Sequence, residues 1–339
     1  MEINIMLNKT ALVLGAGGFI GNHMVTYLTK KGYWVRGVDI KYPEFSPTLA
    51  ADFVQGDLRD ISLVKQVLTP PVDIINTTNS RSFDEIYQFA ADMGGAGFVF
   101  TGENDADIMH NSASINLNLL DAIAKGEHTG KIFYSSSACI YPEHNQLDSA
   151  NPICEESTAY PANPDSEYGW EKLFSERLFF AYARNHNLTV KVARYHNVYG
   201  PEGTWDGGRE KSPAAICRKV AVANPYVEIW GSGNQTRSFL YIDDCIEATY
   251  LFMQSGFQGP INIGSEEMIS INQLVDLVAD ISQKPVIKQY VPGPVGVAGR
   301  RSHNDLIRSV LNWEPRISLK QGLTDTYKWI KTQLNAGNN

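Results

Sequence analysis

Thr10-Ala11-Leu12-Val13-Leu14-Gly15-Ala16-Gly17-Gly18-Phe19-Ile20-Gly21 begins as an apolar run that reads as a strand and passes straight into glycine. The glycines at 15, 18 and 21 give G-x-x-G-x-x-G, and Asn22 to Lys30 then reads as a helix. Glycine lets the backbone turn tightly and lie close to a pyrophosphate, and the helix N-terminus offers that group unpaired N–H donors. A glycine turn alone says little, but strand, turn and helix stand here in the required order. Tyr33 to Val38 reads as a second strand ending in Asp39. A carboxylate there accepts both ribose hydroxyls, which favours NAD over NADP, although Lys41 is close enough to bear on a 2′-phosphate. The expected cofactor contacts are Gly15, Gly17, Gly18, Phe19, Ile20, Gly21 and Asp39, with Asp57, Leu58, Tyr168 and Lys172 from further along the chain.

Outward from that turn the chain keeps alternating strand and helix. Asp52 to Gln55 reads as a third strand leading to Asp57 and Leu58. Asp57 suits either an adenine amino group, with Leu58 against the ring, or the cap of a helix beginning near Ile61. Val72 to Asn76 and Glu85 to Ala90 both look like strands, and the second is the expected fourth strand. It leads into Ala91-Asp92-Met93-Gly94-Gly95-Ala96-Gly97, a loop with little side-chain bulk that suits close approach of a ligand. Asp107 to Lys125 and Tyr168 to Asn185 read as long helices whose apolar stripes suit packing on the sheet or on a second subunit. The alternation predicts an α/β fold, a Rossmann-type doubly wound parallel sheet. A smaller, mostly helical C-terminal substrate-binding lobe should cover the carboxyl ends of the strands. The expected division is an NAD-binding domain over 1–198, with a return segment of about 238–264, and a substrate lobe over 199–237 and 265–335.

Lys131-Ile132-Phe133-Tyr134 reads as a strand stopping in Ser135-Ser136-Ser137-Ala138-Cys139-Ile140-Tyr141-Pro142. Tyr168 and Lys172 follow at i, i+4, on one face of a helix. Strand-end serines facing a Tyr-x-x-x-Lys helix make a site for taking a proton from an alcohol. Cys139 is the unusual member, standing in a polar loop where a lone cysteine is more often a small buried hydrophobe. Lys211 ends a Gly-Gly-Arg-Glu-Lys run before a proline-opened helix, which suggests a ligand-facing loop. Arg237 and Arg300 suit phosphate through their bidentate guanidinium geometry.

Composition narrows the function classes. The chain has 339 residues and a formal charge of −8. The pI near 5.4 argues against a nucleic-acid surface. No run reaches the apolar length that spans a bilayer. Met1 to Lys9 lacks the pattern of a signal peptide. The four cysteines, Cys139, Cys154, Cys217 and Cys245, are widely spaced and show no metal-ligand pattern. Free thiols in a reducing, cytoplasmic compartment are expected, with Cys154, Cys217 and Cys245 structural.

Several long stretches carry a resemblance. They are Ala90 to Gly95, Ser136 to Glu143, Gly207 to Ala215, Trp230 to Phe239, Pro292 to Gly296, and Gly299-Arg300. With the glycine turn and Tyr168-x-x-x-Lys172, they make the chain resemble the extended short-chain dehydrogenase/reductases that modify nucleotide sugars, over nearly its whole length. Within that NAD-dependent family it looks like the 3,5-epimerases of GDP-sugars, with GDP-mannose the expected substrate. The resemblance implies that Tyr168 removes the proton from the carbon-4 hydroxyl, Lys172 lowers its pKa and Ser137 hydrogen-bonds the same oxygen. Cys139 and Lys211 are then the acid/base pair on opposite sides of the sugar. Gly94, Gly95, Ala138, Asn197, Glu210, Ser212 and Lys219 fall at positions that contact the nucleotide sugar, as do Gln235, Thr236, Arg237 and Arg300. The expected partners are that small molecule and a second copy of the chain, joined through about 107–125 and 168–185. The segment from about Val72 to Asp84 is longer than the family pattern, and plant members run on past a last helix where this chain stops at Asn339. Related dehydratases carry an Asp-Glu pair where Ala138-Cys139 stands here. The rival readings are a simple 4-epimerase, a 3,5-epimerase of another GDP-hexose or GDP-heptose, and a non-catalytic NAD-binding protein.

Overall fold

The computed structural model describes residues 9–126 and 128–336, so the stretch read for a signal peptide lies, up to Asn8, outside it. β1 (Lys9–Leu14), α1 (Phe19–Lys30), β2 (Tyr33–Asp39), β3 (Asp52–Gln55), α2 (Ile61–Val67) and α3 (Val72–Thr78) come first. They are followed by β4 (Glu85–Gln88), α4 (Ala96–Val99), α5 (Asp105–Lys125), β5 (Lys131–Ser137), α6 (Glu167–His186) and β6 (Val190–Tyr195). The remainder begins with β7 (Val198–Tyr199), α7 (Ser212–Val222), β8 (Tyr226–Trp230), β9 (Thr236–Ser238), β10 (Leu240–Tyr241), α8 (Ile242–Gln254) and β11 (Ile261–Ile263). It ends with β12 (Met268–Ser270), α9 (Ile271–Ser282), β13 (Ile287–Val291), β14 (Gly299–Arg300), α10 (Asp305–Leu311) and α11 (Leu319–Ala336).

Seven strands form one parallel sheet in the order β11-β6-β5-β4-β1-β2-β3. The strand order reverses beside β1, which puts the switch-point crevice at the carboxyl ends of β1 and β4. Both faces of β1 are covered. Ala11 and Val13 join Met24, Val25 and Leu28 of α1, while Leu12 and Leu14 join Leu119, Leu120 and Ile123 of α5. A strand buried on both faces carries a continuous apolar run, which is why this segment does not alternate. β11 arrives from far along the chain to pair with β6, and α8 packs on α1. Farther along the chain α7, α9 and α11 pack on one another, and two small sheets are ordered β12-β9-β14 and β13-β8.

Val72 to Asn76, which reads as a strand, is the start of α3. Pro71 occupies the N-cap and Asp73 the first turn, both favourable at a helix start, and Ile74 is the residue it buries. The fourth strand is formed by Glu85–Gln88 instead. Asp57 does not cap α2. That cap is Asp60, whose carboxylate accepts from Ser62 N at 2.8 Å, while Arg59 clasps Asp57.

The glycine turn is tightly constrained. A Cβ on Gly21 would overlap the Gly15 carbonyl, backbone against backbone, with no flexible side chain to yield. Gly21→Ala should therefore lower stability by about 1–3 kcal/mol. A lower urea midpoint checks it, and an unchanged midpoint would refute this account of the turn.

Candidate active site

At the first strand end, α1 opens with neither a side-chain cap nor an acidic residue in its first turn. Its leading N–H groups and positive dipole end thus favour an anion brought from outside. Asp39, ending β2, accepts from Gly17 N at 2.9 Å and Lys41 N at 3.2 Å, so its carboxylate is fixed against the turn. Burial pushes that carboxyl group up, opposed by these N–H donors. The Lys41 ammonium faces Glu44 at 3.9 Å. Leu58 is buried beside this region.

At the next strand ends, β5 delivers Ser137, whose Oγ accepts from Cys139 N at 3.2 Å and fixes the short turn Ala138–Ile140. α6 brings Tyr168 and Lys172 to the same place, both buried. The Lys172 Nζ donates to Ser135 O at 2.9 Å and lies 5.7 Å from the centre of the Tyr168 ring. Burial pushes the Tyr168 phenol well up, with Cys139 adding to the shift, and the hydrogen bond to Ser137 opposes it. Burial pushes the Lys172 ammonium down, opposed first by Glu171. The serine, tyrosine and lysine read from sequence are thus brought together at the end of β5.

Cys139 differs from the other cysteines. Cys154, Cys217 and Cys245 are fully buried, and burial pushes their thiols up to about 11, 12 and 12. Cys139 is half-buried, and its Sγ accepts from Arg300 Nη1 at 3.0 Å. Lys211 stands at the N-cap of α7, where Ser212 and Pro213 start the helix. Burial pushes the Lys211 ammonium down, and Cys139 is the first charge opposing that shift. The two expected acid/base groups therefore lie within electrostatic reach of one another.

The low-bulk loop after β4 does make a close approach, but to the chain's own backbone. Gly95 N donates to Arg209 O at 2.9 Å, and a Cβ on Gly95 would overlap the Glu210 carbonyl. This seats the loop directly on the segment that carries Lys211, with Arg209 paired to Asp92 and lying 3.8 Å from the centre of the Phe98 ring. Glu210 is engaged by Gly208 N and Arg218. The Lys219 Nζ donates to Glu228 O, Gln235 to Trp230 O and Asn197 to Ser238 O. Thr236 donates to Ser149 O at 2.5 Å.

β14 pairs with β9 so that Arg300 stands beside Arg237. Among the described residues Arg237 donates only to the carbonyls of Thr236 and Val295, and burial next to Arg300 pushes its guanidinium down to about 10. It remains a cation at neutral pH. Arg300 is otherwise committed: Nε donates to Gln146 Oε1 at 2.6 Å and Nη2 to Asp165 Oδ2 at 2.7 Å. Sequence reasoning gave no sign of Asp165 or Gln146. His196, read as structural, is fully buried against Asn262, and burial pushes its imidazole down to about 3.

On the outer surfaces of the two long helices, Met109 and Leu117 of α5 and Trp170 and Phe174 of α6 are exposed. Among the described residues, no helix is long and apolar enough to cross a membrane.

The model of the NAD dependent epimerase/dehydratase family matches residues 11–264. GDP-mannose 3,5-epimerase of Arabidopsis thaliana is 41% identical over 329 residues, covering 96% of this chain and 83% of that protein. The solved structure of UDP-glucose 4-epimerase from Thermotoga maritima with UDP-glucose superposes with a TM-score of 0.80 at 26% identity, covering 96% of this chain and 99% of that one. UDP-glucuronic acid 4-epimerase from Bacillus cereus, in complex with UDP-glucuronic acid and NAD, gives a TM-score of 0.76 at 25% identity, with coverage of 96% and 99%.

Proposed function

The chain belongs to the NAD dependent epimerase/dehydratase family, and from that premise we propose that it inverts carbons 3 and 5 of a GDP-sugar, with GDP-mannose as substrate. The uncapped α1 N-terminus, the glycine turn and Asp39 fit NAD, and Tyr168 and Lys172 would face its reactive end. Bound there, NAD supplies reversible hydride acceptance at carbon 4, and the resulting ketone acidifies the hydrogens on carbons 3 and 5.

The chain's own groups handle the protons. Tyr168 takes the proton of the carbon-4 hydroxyl while Ser137 hydrogen-bonds the same oxygen. Lys172 adds positive charge beside the phenol, which favours phenolate. Inverting a stereocentre needs one group to withdraw a proton and a donor on the opposite face, roles given to Cys139 and Lys211. Each needs tuning, because unshifted thiols and ammonium groups have pKa values of roughly 8.5 and 10.4. Burial of Lys211 moves it in the useful direction. Arg237 meets the diphosphate, with Lys219 and Trp230 close by, the ammonium 5.6 Å from the ring centre. The exposed Leu117, Trp170 and Phe174 form the contact with a second subunit.

The observation that carries this reading is Cys139, packed in one cluster with Tyr168 and met at its sulfur by Arg300, with Lys211 the next group of the reading. A plain 4-epimerase shares the tyrosine and lysine but has no use for the other two. Incubation with GDP-mannose and NAD in deuterated water, followed by NMR of the sugar, should place deuterium on carbons 3 and 5. Product formed without solvent exchange would mean a 4-epimerase, and no turnover across GDP-hexoses would mean an NAD-binding protein without this activity.

A further inference from the structure

Arg300 is only 4% exposed, yet its guanidinium is pinned from three sides by three different parts of the chain. Gln146, from the loop that follows Cys139, accepts from Nε; its own amide nitrogen donates to the Tyr141 and Pro142 carbonyls and so cannot swing away. Asp165, just before the Ser166 cap of α6, accepts from Nη2 in an ion pair buried on both sides. The third nitrogen is left directed at the Cys139 sulfur. A guanidinium fork is rigid and planar, so fixing two of its nitrogens fixes the third. A cation hydrogen-bonded to sulfur stabilises that atom whenever it carries negative charge. Among the described residues the neighbouring Arg237 has no carboxylate partner. The two arginines on the paired strands therefore divide the work, Arg237 meeting the diphosphate and Arg300 serving the thiol.

We infer that Asp165 and Gln146 are positioning residues, holding Arg300 so that its Nη1 stays on the Cys139 sulfur during proton transfer at carbons 3 and 5. The inference rests on the acid/base reading of Cys139 given above. No covalent bond changes hands in it, since Arg300 keeps its protons and supplies only orientation and charge.

The test uses the NAD-loaded protein and its Asp165→Asn variant, which keeps shape and removes charge, with Gln146→Leu as a second variant. In Asp165→Asn, deuterium entry at carbons 3 and 5 should fall by roughly 10- to 100-fold. Transient reduction of bound NAD, read by absorbance, should fall far less. Alkylation of Cys139 by iodoacetamide, followed by mass spectrometry without any substrate, should also slow several-fold; the other three thiols are buried and do not compete. Unchanged exchange and alkylation would overturn the inference. So would a parallel fall of exchange and NAD reduction, which is the mark of a merely structural ion pair. If wild-type protein exchanges no deuterium, the proposed function fails, and the alkylation rates still decide whether Asp165 and Gln146 hold Arg300 on the sulfur.

Discussion

Tyr168→Phe should cut turnover by roughly 10²- to 10⁴-fold, the range that a positioned acid or base contributes. The substitution deletes one oxygen from a side chain that otherwise stays packed beside Phe98, Val99 and Ile108. Ser137 lies beside its hydroxyl and opposes the rise in its pKa, and burial is the main reason the free phenol holds its proton. Removing the hydroxyl leaves the ring, the Lys172 bond to Ser135 O and the α6 packing intact, so thermal stability should change little. The loss should appear at the first chemical event. Addition of GDP-mannose to the NAD-loaded variant should give almost no transient absorbance of reduced cofactor, and no deuterium should reach carbons 3 and 5. A variant that still reduced NAD at near wild-type rate would remove Tyr168 from the role assigned to it, whatever its effect on overall turnover.

The parts of this site that were legible in the sequence are those whose chemistry is carried by short spacing. The glycine turn, Asp39 at the end of β2, the serines ending β5 and the i, i+4 pair on α6 each sit within one element or its adjoining turn. Local periodicity suffices to place them. The errors came where tertiary packing decides between local options. Val72 to Asn76 has the apolar, β-branched content of a strand, but the slot beside β1 is taken by β4. Asp57 was the cap that the sequence suggested, and the geometry of the turn gives that role to Asp60. The loop at Gly94 and Gly95 was read as leaving room for a ligand, and nothing in that local pattern showed that Gly95 also lies against the backbone of Glu210 and Lys211. Asp165 and Gln146 lie 135 and 154 residues from Arg300 in sequence, and neither sits in a pattern that marks it. Buried polar contacts across such separations leave no periodic trace, and only the folded chain exposes them.

Cys139→Ala should separate the two halves of the chemistry. Alanine keeps the Cβ of this half-buried side chain and loses the sulfur's bond to Arg300, while Ser137 Oγ still accepts from the backbone N–H at position 139. Arg300 keeps Gln146 and Asp165 as partners, so the change leaves no bare guanidinium in the site. What disappears is the group proposed to move protons on one face of the sugar. Tyr168, Lys172 and Ser137 are untouched, and transient reduction of NAD should survive at a comparable rate. Deuterium entry at carbons 3 and 5 should drop by roughly 10²-fold or more, the contribution expected of a lost acid or base. Lys211 alone cannot invert either centre, because one base cannot take a proton from one face and deliver another to the opposite face without moving. If exchange persists unchanged at both carbons, the stereochemistry is performed by other groups and the sulfur is a bystander of the redox site. If NAD reduction is lost along with exchange, Cys139 belongs to the hydroxyl-binding group instead. Exchange abolished with reduction preserved is the one pattern that a 4-epimerase site with an incidental thiol cannot produce.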